Sequence, residues 1–389
     1  MESVHNIVIQ LIRYILTGKE FNVGEDVDYN LVYNFSKEHG IENIVYEAIK
    51  ELNIKLPEKI DALFAEDYDA NIMLEATQAL ELENLAEEFE KAEIDYMPMK
   101  GSVVKYLYAM PDYRKSGDID ILIRPEDKKR ANELILKMDY ILDEFDEFEH
   151  HIGYRKPPCI ILELHDKLVE KGNRSYKYLS QIWDRVVKED KCNCRYKMTK
   201  EDFYTYSISH LAKHIKICGA GIKFITDIYV MKNKWEFDEN KLKIALKAAN
   251  VYELNCLVNE LIGYWFNGEE CSDNAKTLGE FILNSGMFGN KEQRFFLSKG
   301  EAVSKGMIGK LKYRIDKIFR GVFAPYDVMR REYPIVLKKK YLIPFFWMIR
   351  IFKIMTNKEL REKNLNKALV IEEDNKKYSD LWRMVKDNG

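Results

Sequence analysis

Proline is scarce in this chain: nine residues in 389, against 24 tyrosines and 19 phenylalanines. That balance argues against a loop-dominated chain and for a helix-rich, well-packed one. Cysteine is thin as well. Six cysteines, at 159, 192, 194, 218, 256 and 271, are scattered, and the close pair Cys192-Asn193-Cys194 lacks the two-residue spacer of zinc knuckles and redox motifs. A disulfide framework is excluded on this pattern, and reduced thiols in a cytoplasmic setting are expected. No uninterrupted apolar run approaches the ~18 residues that a membrane span requires. The opening "MESVHNIVIQLIRYIL" starts with an acid and is interrupted by Gln10 and Arg13, which predicts an amphipathic helix rather than a signal peptide. Low-complexity tracts and internal repeats are missing too.

What is present is an ordinary folded composition, 46% hydrophobic and 32% charged, long enough for two or three packed units. Residues 1–92 carry helical spacing, clearest in "YNLVYNFSKEHGI" and "NIMLEATQALELENLAEEFEKAEI". From Asp95 the period changes, and "YMPMKG", "DIDILIR", "DYILDEF" and "CIILELH" read as short strands. Between the second and third lies "PEDKKRANELILKM", a helix with Pro125 at its start and acids in its first turn. Lys156-Pro157-Pro158 marks a hairpin-like turn. From about 175 the helical period returns, in "DFYTYSISHLAKHIKI" and "DENKLKIALKAANVYELNCLVNELIGYWF". The expected fold class is α+β, with a small mixed-sheet core over 93–175 embedded in helical N- and C-terminal regions. The boundaries expected are 1–92, 93–175, 176–300 and 301–389.

Charge is unevenly spread. Between Lys305 and Lys358 there are 14 Lys/Arg against 3 Asp/Glu, an excess of 11 positive charges in a chain whose net charge is −3. Cations and aromatics mix there in "KKKYLIPFFWMIRIFKIM". Three readings stay open for 305–358: an apolar helix with a solvated basic edge, a peripheral membrane contact, or an RNA-binding face.

The chemistry concentrates in "MKGSVVKYLYAMPDYRKSGDIDILIR", residues 99–124. A strand ending in Gly101-Ser102 and running into a helix, "VVKYLYA", suits a triphosphate, since glycine permits close approach and a helix start offers free N–H groups. Asp118 and Asp120, two apart on a strand, project from one face while Ile119 and Ile121 take the other. Paired carboxylates repel unless a cation lies between them, and hard oxygen donors suit Mg²⁺. In "CIILELHDKL", Glu163 is a carboxylate in the middle of an apolar strand, costly unless paired or metal-bound, and it is the candidate third acid. His165, one strand step further, reads as a polar strand-end residue. Lys100 and Arg114 are the nearest cations and could neutralise phosphate charge. Ser116 and Gly117 fit either a close approach or a plain turn.

Weaker constellations remain. His210 and His214, four apart on a helix with Lys213 between and Asp227 beyond, are open to three readings: a plain helix face, a zinc pair, or a substrate-facing wall. No Glu follows His210, so the metalloprotease pattern fails. His150-His151, after the acidic "LDEFDEFEH", is expected at a solvated edge.

Gly-Ser, then Asp-x-Asp in an apolar strand, then an acid on a later strand, is the motif order of the nucleotidyltransferase superfamily typified by DNA polymerase beta. More narrowly, "IDYMPMKGSVVKYLY", "YRKSGDIDILIRPEDKKRANELILKMDY" and "LELHDKL" resemble the bacterial uncharacterised nucleotidyltransferase family of NTP transferase 5 type. "FSKEHGIENIVYEAI" upstream, and "SHLAKHI", "FITDIYV" and "YPIVLKKKYLIPFFWMIRIF" downstream, extend the likeness over most of the chain. The resemblance implies a mixed-sheet core flanked by helices and a nucleoside triphosphate bound with Mg²⁺ or Mn²⁺. It implies that Gly101 and Ser102 hold the triphosphate, with Asp118, Asp120 and Glu163 as metal-binding and catalytic carboxylates; Lys100 and Arg114 join as nucleotide-binding candidates by their nearness to these motifs. His165, His210, Lys213, His214 and Asp227 would wall the substrate. The expected reaction moves a nucleotidyl group to a hydroxyl on a small molecule, a protein side chain or RNA. A non-catalytic nucleotide-binding protein on the same scaffold is the alternative.

Overall fold

In the computed structural model, the described residues are 3–19, 21, 27–147, 151–217, 219–286, and 319, 323, 326, 329, 333 and 335–357. They fall into two compact units, one ending before residue 291 and one within 291–383.

The first unit opens with α1 (Val4–Thr17), α2 (Tyr29–His39), α3 (Glu42–Glu51) and the long α4 (Glu58–Lys91). Ser3 and Asp28 cap α1 and α2 by accepting backbone N–H bonds, and Gly18 and Gly40 end them in the left-handed conformation that glycine tolerates. The N-terminal stretch is the amphipathic helix its pattern predicts, burying Ile7, Val8, Leu11 and Ile12.

A mixed five-stranded sheet follows: β1 (Tyr96–Pro98), β2 (Ile119–Ile123), β3 (Ile141–Glu147), β4 (His151–Lys156) and β5 (Ile160–His165), in the order β1-β2-β5-β4-β3. β2 and β5 pair in parallel and the other neighbours antiparallel. Between β1 and β2 lies α5 (Gly101–Val104), and between β2 and β3 lies α6 (Lys128–Lys137). The hairpin between β4 and β5 turns at Lys156-Pro157-Pro158, as the sequence suggests, with a cis bond between the prolines.

One face of the sheet is the core. Ile119, Ile121 and Ile123 of β2 and Ile160, Leu162 and Leu164 of β5 pack against Leu82, Leu85 and Phe89 of α4 and Ala131 and Ile135 of α6. Each such Ile or Leu contributes about 1.5–3 kcal/mol on burial, so the alternation of these strands fixes which face is left for polar residues.

The rest of this unit comprises α7 (Tyr176–Leu179), a ribbon of β6 (Val187–Lys188) and β7 (Tyr196–Lys197), and helices α8 (Lys200–Ile217), α9 (Lys223–Lys234), α10 (Glu239–Ala248), α11 (Tyr252–Ile262) and α12 (Asp273–Leu283). Cys159, Cys192, Cys194, Cys256 and Cys271 are free thiols, while Cys218 lies outside the described residues.

Much of the basic segment 305–358 also lies outside the described residues. Its described helix Ile343–Thr356 leaves Phe345, Met348 and Phe352 exposed. Among the described residues no helix is long and apolar enough to cross a membrane.

Candidate active site

The acidic side of the site follows from strand register. Asp118 sits in the bend before β2, Asp120 lies within it, and parallel pairing sets Asp120 beside Glu163 of β5. With the isoleucines and leucines turned to the core, these acids share the opposite face, and ligand oxygens of all three lie within 4.8 Å of one another. Lys100 Nζ donates to Asp120 Oδ1 at 2.5 Å and to Glu163 Oε2 at 3.2 Å. His165 Nε2 meets the same two oxygens, at 2.8 and 3.2 Å. Two side chains thus converge on one carboxylate pair, and Lys100 holds its place with a positive φ of 46° that few non-glycine residues adopt.

The electrostatics differ within the cluster. Burial, then the charges of Asp120 and Glu163, push Asp118 up to about 7. Burial acts to raise Glu163 too, but Lys100 and His165 outweigh it and hold that carboxyl well below the usual range. Three converging carboxylates are the donor set of a hard divalent cation, so these residues fit one.

The Gly-Ser corner is built differently from the sequence expectation. The helix after it is a single α-turn, Gly101–Val104, followed by a 3₁₀ turn over Lys105–Leu107, so it presents no extended helix start. Lys105 is drawn into the interior to meet Glu75 at 3.2 Å, and Tyr108 donates to Asp227 at 2.7 Å; these contacts take the chain off the helical path. Gly101 does line the cavity, and a Cβ there would strike Ser116 Oγ and come within 2.6 Å of Arg114 Nη1. Ser102 is buried and its hydroxyl accepts the Asp120 N–H at 3.4 Å, tying the corner to β2.

Arg114 is fully engaged. Its Nε and Nη2 donate to both oxygens of Asp227 at 2.9–3.2 Å, and Nη1 donates to Ser116 Oγ at 2.9 Å. Asp227, predicted as substrate wall, does border the cavity, but both its oxygens serve this clamp between α9 and the segment before β2.

A cavity of about 560 Å³ separates the acids from a helical wall. Tyr206, His210 and His214 repeat every four residues along α8, and Lys223, Phe224 and Asp227 come from the first turns of α9. The rings of His210 and His214 stack 4.6 Å apart with planes at 6°, and Phe224 packs on His214 at 4.7 Å. Burial, then the neighbouring imidazole, lowers His210 well below its ordinary value; burial and Lys100 bring His214 down to about 3. Both rings are therefore neutral near pH 7. Among the described residues no third ligating side chain joins them as a metal site. Lys213 turns away from this cavity and lines two smaller ones.

Three residues escaped the sequence reading. Lys223 lines the cavity, and its amine makes no ion pair or hydrogen bond with a described residue. Desolvation, then the Arg114 charge, brings it down to about 8. Its one sequence signal was the position immediately before "FITDIYV". Tyr206 had the four-residue spacing with His210 as its signal. His151 is a correction: it is 6% exposed, not at a solvated edge, and lies opposite His165 in the β4–β5 pair with Nε2 3.8 Å from Glu163 Oε1. His150 lies outside the described residues.

Comparison with known proteins agrees with the motif order. No curated protein and no solved structure shows significant similarity to the chain. Residues 25–267, more than half of its length, match the family model described as "Uncharacterised nucleotidyltransferase", and that span contains both walls of the cavity. The chain belongs to the uncharacterised nucleotidyltransferase family.

Proposed function

We propose that this protein transfers a nucleotidyl group from a nucleoside triphosphate to an acceptor hydroxyl, with release of pyrophosphate. The observation that carries the reading is the pairing of unlike walls around one cavity: three carboxylates within 4.8 Å of one another on one side, and on the other the amine of Lys223, which makes no ion pair among the described residues. The acids call for a cation and the amine for an anion, and a cation-bound triphosphate answers both. A divalent cation such as Mg²⁺ or Mn²⁺, held by Asp118, Asp120 and Glu163, would supply charge neutralisation at the reacting phosphate.

The chain's own residues do the rest by positioning and charge, as is general for phosphoryl-type transfer. Gly101 keeps the floor of the cavity open for close approach. Lys223 takes the outer phosphates and steadies the departing pyrophosphate. The neutral shelf of His210, His214 and Phe224 takes the base by stacking. Glu163, firmly ionised beside Lys100, acts as a ligand rather than as a base. Arg114 and Asp227 are positioning residues that hold the corner before β2 against α9. The acceptor hydroxyl gives up its proton to solvent and attacks the α-phosphorus, the bond from that phosphorus to the oxygen bridging to the β-phosphorus breaks, and pyrophosphate leaves.

The test is pyrophosphate release from each of the four triphosphates with Mg²⁺ or Mn²⁺, alone and then with total RNA or cell extract. Release that disappears in the Asp118→Ala/Asp120→Ala double variant supports transfer. Cation-dependent nucleotide binding without release under any condition would replace it with the non-catalytic binding protein.

A further inference from the structure

We propose that His151, Glu163 and His165 form a second metal site, nitrogen-rich and suited to a borderline divalent ion such as Zn²⁺ or Co²⁺, which shares Glu163 with the acidic set. The three ligand atoms lie within 4.8 Å of one another, a grouping separate from that of Asp118, Asp120 and Glu163. Glu163 presents one oxygen to each imidazole. Its Oε2 lies 3.2 Å from His165 Nε2, and its Oε1 lies 3.8 Å from His151 Nε2.

The backbone prepares this arrangement. His151 and His165 are directly opposed in the antiparallel pair, and Gly153 is opposed to Glu163. Cross-strand neighbours on one face stand about 4.5–5.5 Å apart at Cβ, and the two imidazole rings are 5.1 Å apart by centroid. Gly153, opposed to Glu163, adds no side chain on that face, so the β4 side chain that meets the carboxylate is His151. The imidazoles are 6% and 2% exposed, so the site has walls and is not a chance meeting of surface groups.

The donor set decides the class of ion. Two imidazole nitrogens with one carboxylate are ligands of zinc and of other first-row transition metals, and three protein donors leave a position open for water or substrate. Mg²⁺, a hard ion, prefers oxygen throughout and matches the acidic set instead. Charge favours a second ion as well. Three carboxylates lie within reach of one another, Lys100 pairs with Asp120 and Glu163, and an incoming triphosphate adds more negative charge. A carboxylate bridging two ions is the arrangement that clamps both the attacking and the leaving oxygen in two-metal phosphoryl chemistry. The proposal concerns binding and stands whether or not turnover is found.

The experiment uses the full chain, stripped of metal and titrated with Co²⁺ in a large excess of Mg²⁺, which occupies the oxygen sites. Visible d–d absorption and elemental analysis are the readouts. The expected result is one equivalent of Co²⁺ retained against Mg²⁺, with affinity at least about tenfold weaker in His151→Ala and unchanged within about twofold in Asp118→Ala. Since His165 is more deeply buried, the second measurement avoids substitution there: one equivalent of Cu²⁺, an ion that favours imidazole, bound to the unmodified protein in the same excess of Mg²⁺ should show electron spin-echo modulation from ¹⁴N. Co²⁺ fully displaced by Mg²⁺, or retained equally by His151→Ala, would overturn the proposal. So would one equivalent of bound Cu²⁺ without nitrogen modulation.

Discussion

The two walls of the cavity are built by opposite means. The sheet wall takes its residues from neighbouring strands, and their place follows from a two-residue period and a parallel register. The helical wall takes its residues from two helices whose side chains meet only because α8 and α9 turn toward the sheet. Their electrostatics are opposite too. On the sheet side a carboxyl, Asp118, is pushed up to about 7 by burial and then by the charges of Asp120 and Glu163. On the helical side an amine, Lys223, is pushed down to about 8 by desolvation and Arg114. Each wall is short of the charge that its own ligand would bring, so the cavity as a whole is complementary to a cation and a polyanion together.

The largest effect should come from breaking the sheet wall. Asp118→Ala/Asp120→Ala removes two of the three converging acids and should lower pyrophosphate release by about 10³-fold or more, on the scale of the several kcal/mol that a bound metal contributes. Steady-state turnover with the fold checked by circular dichroism measures this. Retained activity would dissolve the contrast between the walls. Next in size is the tie between them. Asp227→Ala leaves Arg114, whose side chain is 10% exposed, without its buried partner, and should destabilise the first unit by about 3–5 kcal/mol in denaturant titration. A loss under 1 kcal/mol would mean that the clamp is not needed to hold α9 against the segment before β2.

The same contrast explains what could be read from the chain alone. Strand alternation is local, so Asp118, Asp120 and Glu163 were legible as acids forced onto one face, and a carboxylate inside "CIILELH" stands out against its apolar neighbours. The mixed sheet followed from the strands and the intervening helix by the same logic. The Gly-Ser corner misled because "VVKYLYA" has helical spacing, yet Lys105 and Tyr108 are recruited by Glu75 and Asp227, partners about 30 and 119 residues away. His151 followed an acidic run and looked solvated; its burial depends on the β4–β5 register that sets it opposite His165. Lys223 carries no periodic signal at all, since its role depends on the angle between two helices. Arg114 was picked as a free cation, and only the fold reveals that Asp227 has already taken it.

Gly101→Ala sharpens the floor between the walls. Its Cβ would meet Ser116 Oγ and Arg114 Nη1, so both must shift, and a cost of about 1–3 kcal/mol is expected for such overpacking. A Tm unchanged from the parent would show that Arg114 can swing aside freely.

The smallest effect tests the helical wall by itself. Lys223→Met keeps the length of the side chain and removes the charge, and the loss of a charged hydrogen bond predicts nucleotide affinity weaker by about 10-fold at pH 7. The sign of the pH dependence is fixed by the lowered amine. Below about 8 Lys223 is protonated in the free protein and attracts phosphate; above it the amine is neutral, and binding must take up a proton. Nucleotide affinity of the parent should therefore fall as pH rises past about 8, by up to about tenfold per pH unit until the amine of the bound complex also titrates. Other groups titrate in both proteins, so the ratio of parent to Lys223→Met affinity isolates this one. That ratio should be flat at low pH and shrink above 8. A ratio that stays constant to pH 10 would mean that Lys223 does not touch the phosphates, and the helical wall would be left with stacking as its only contribution to binding.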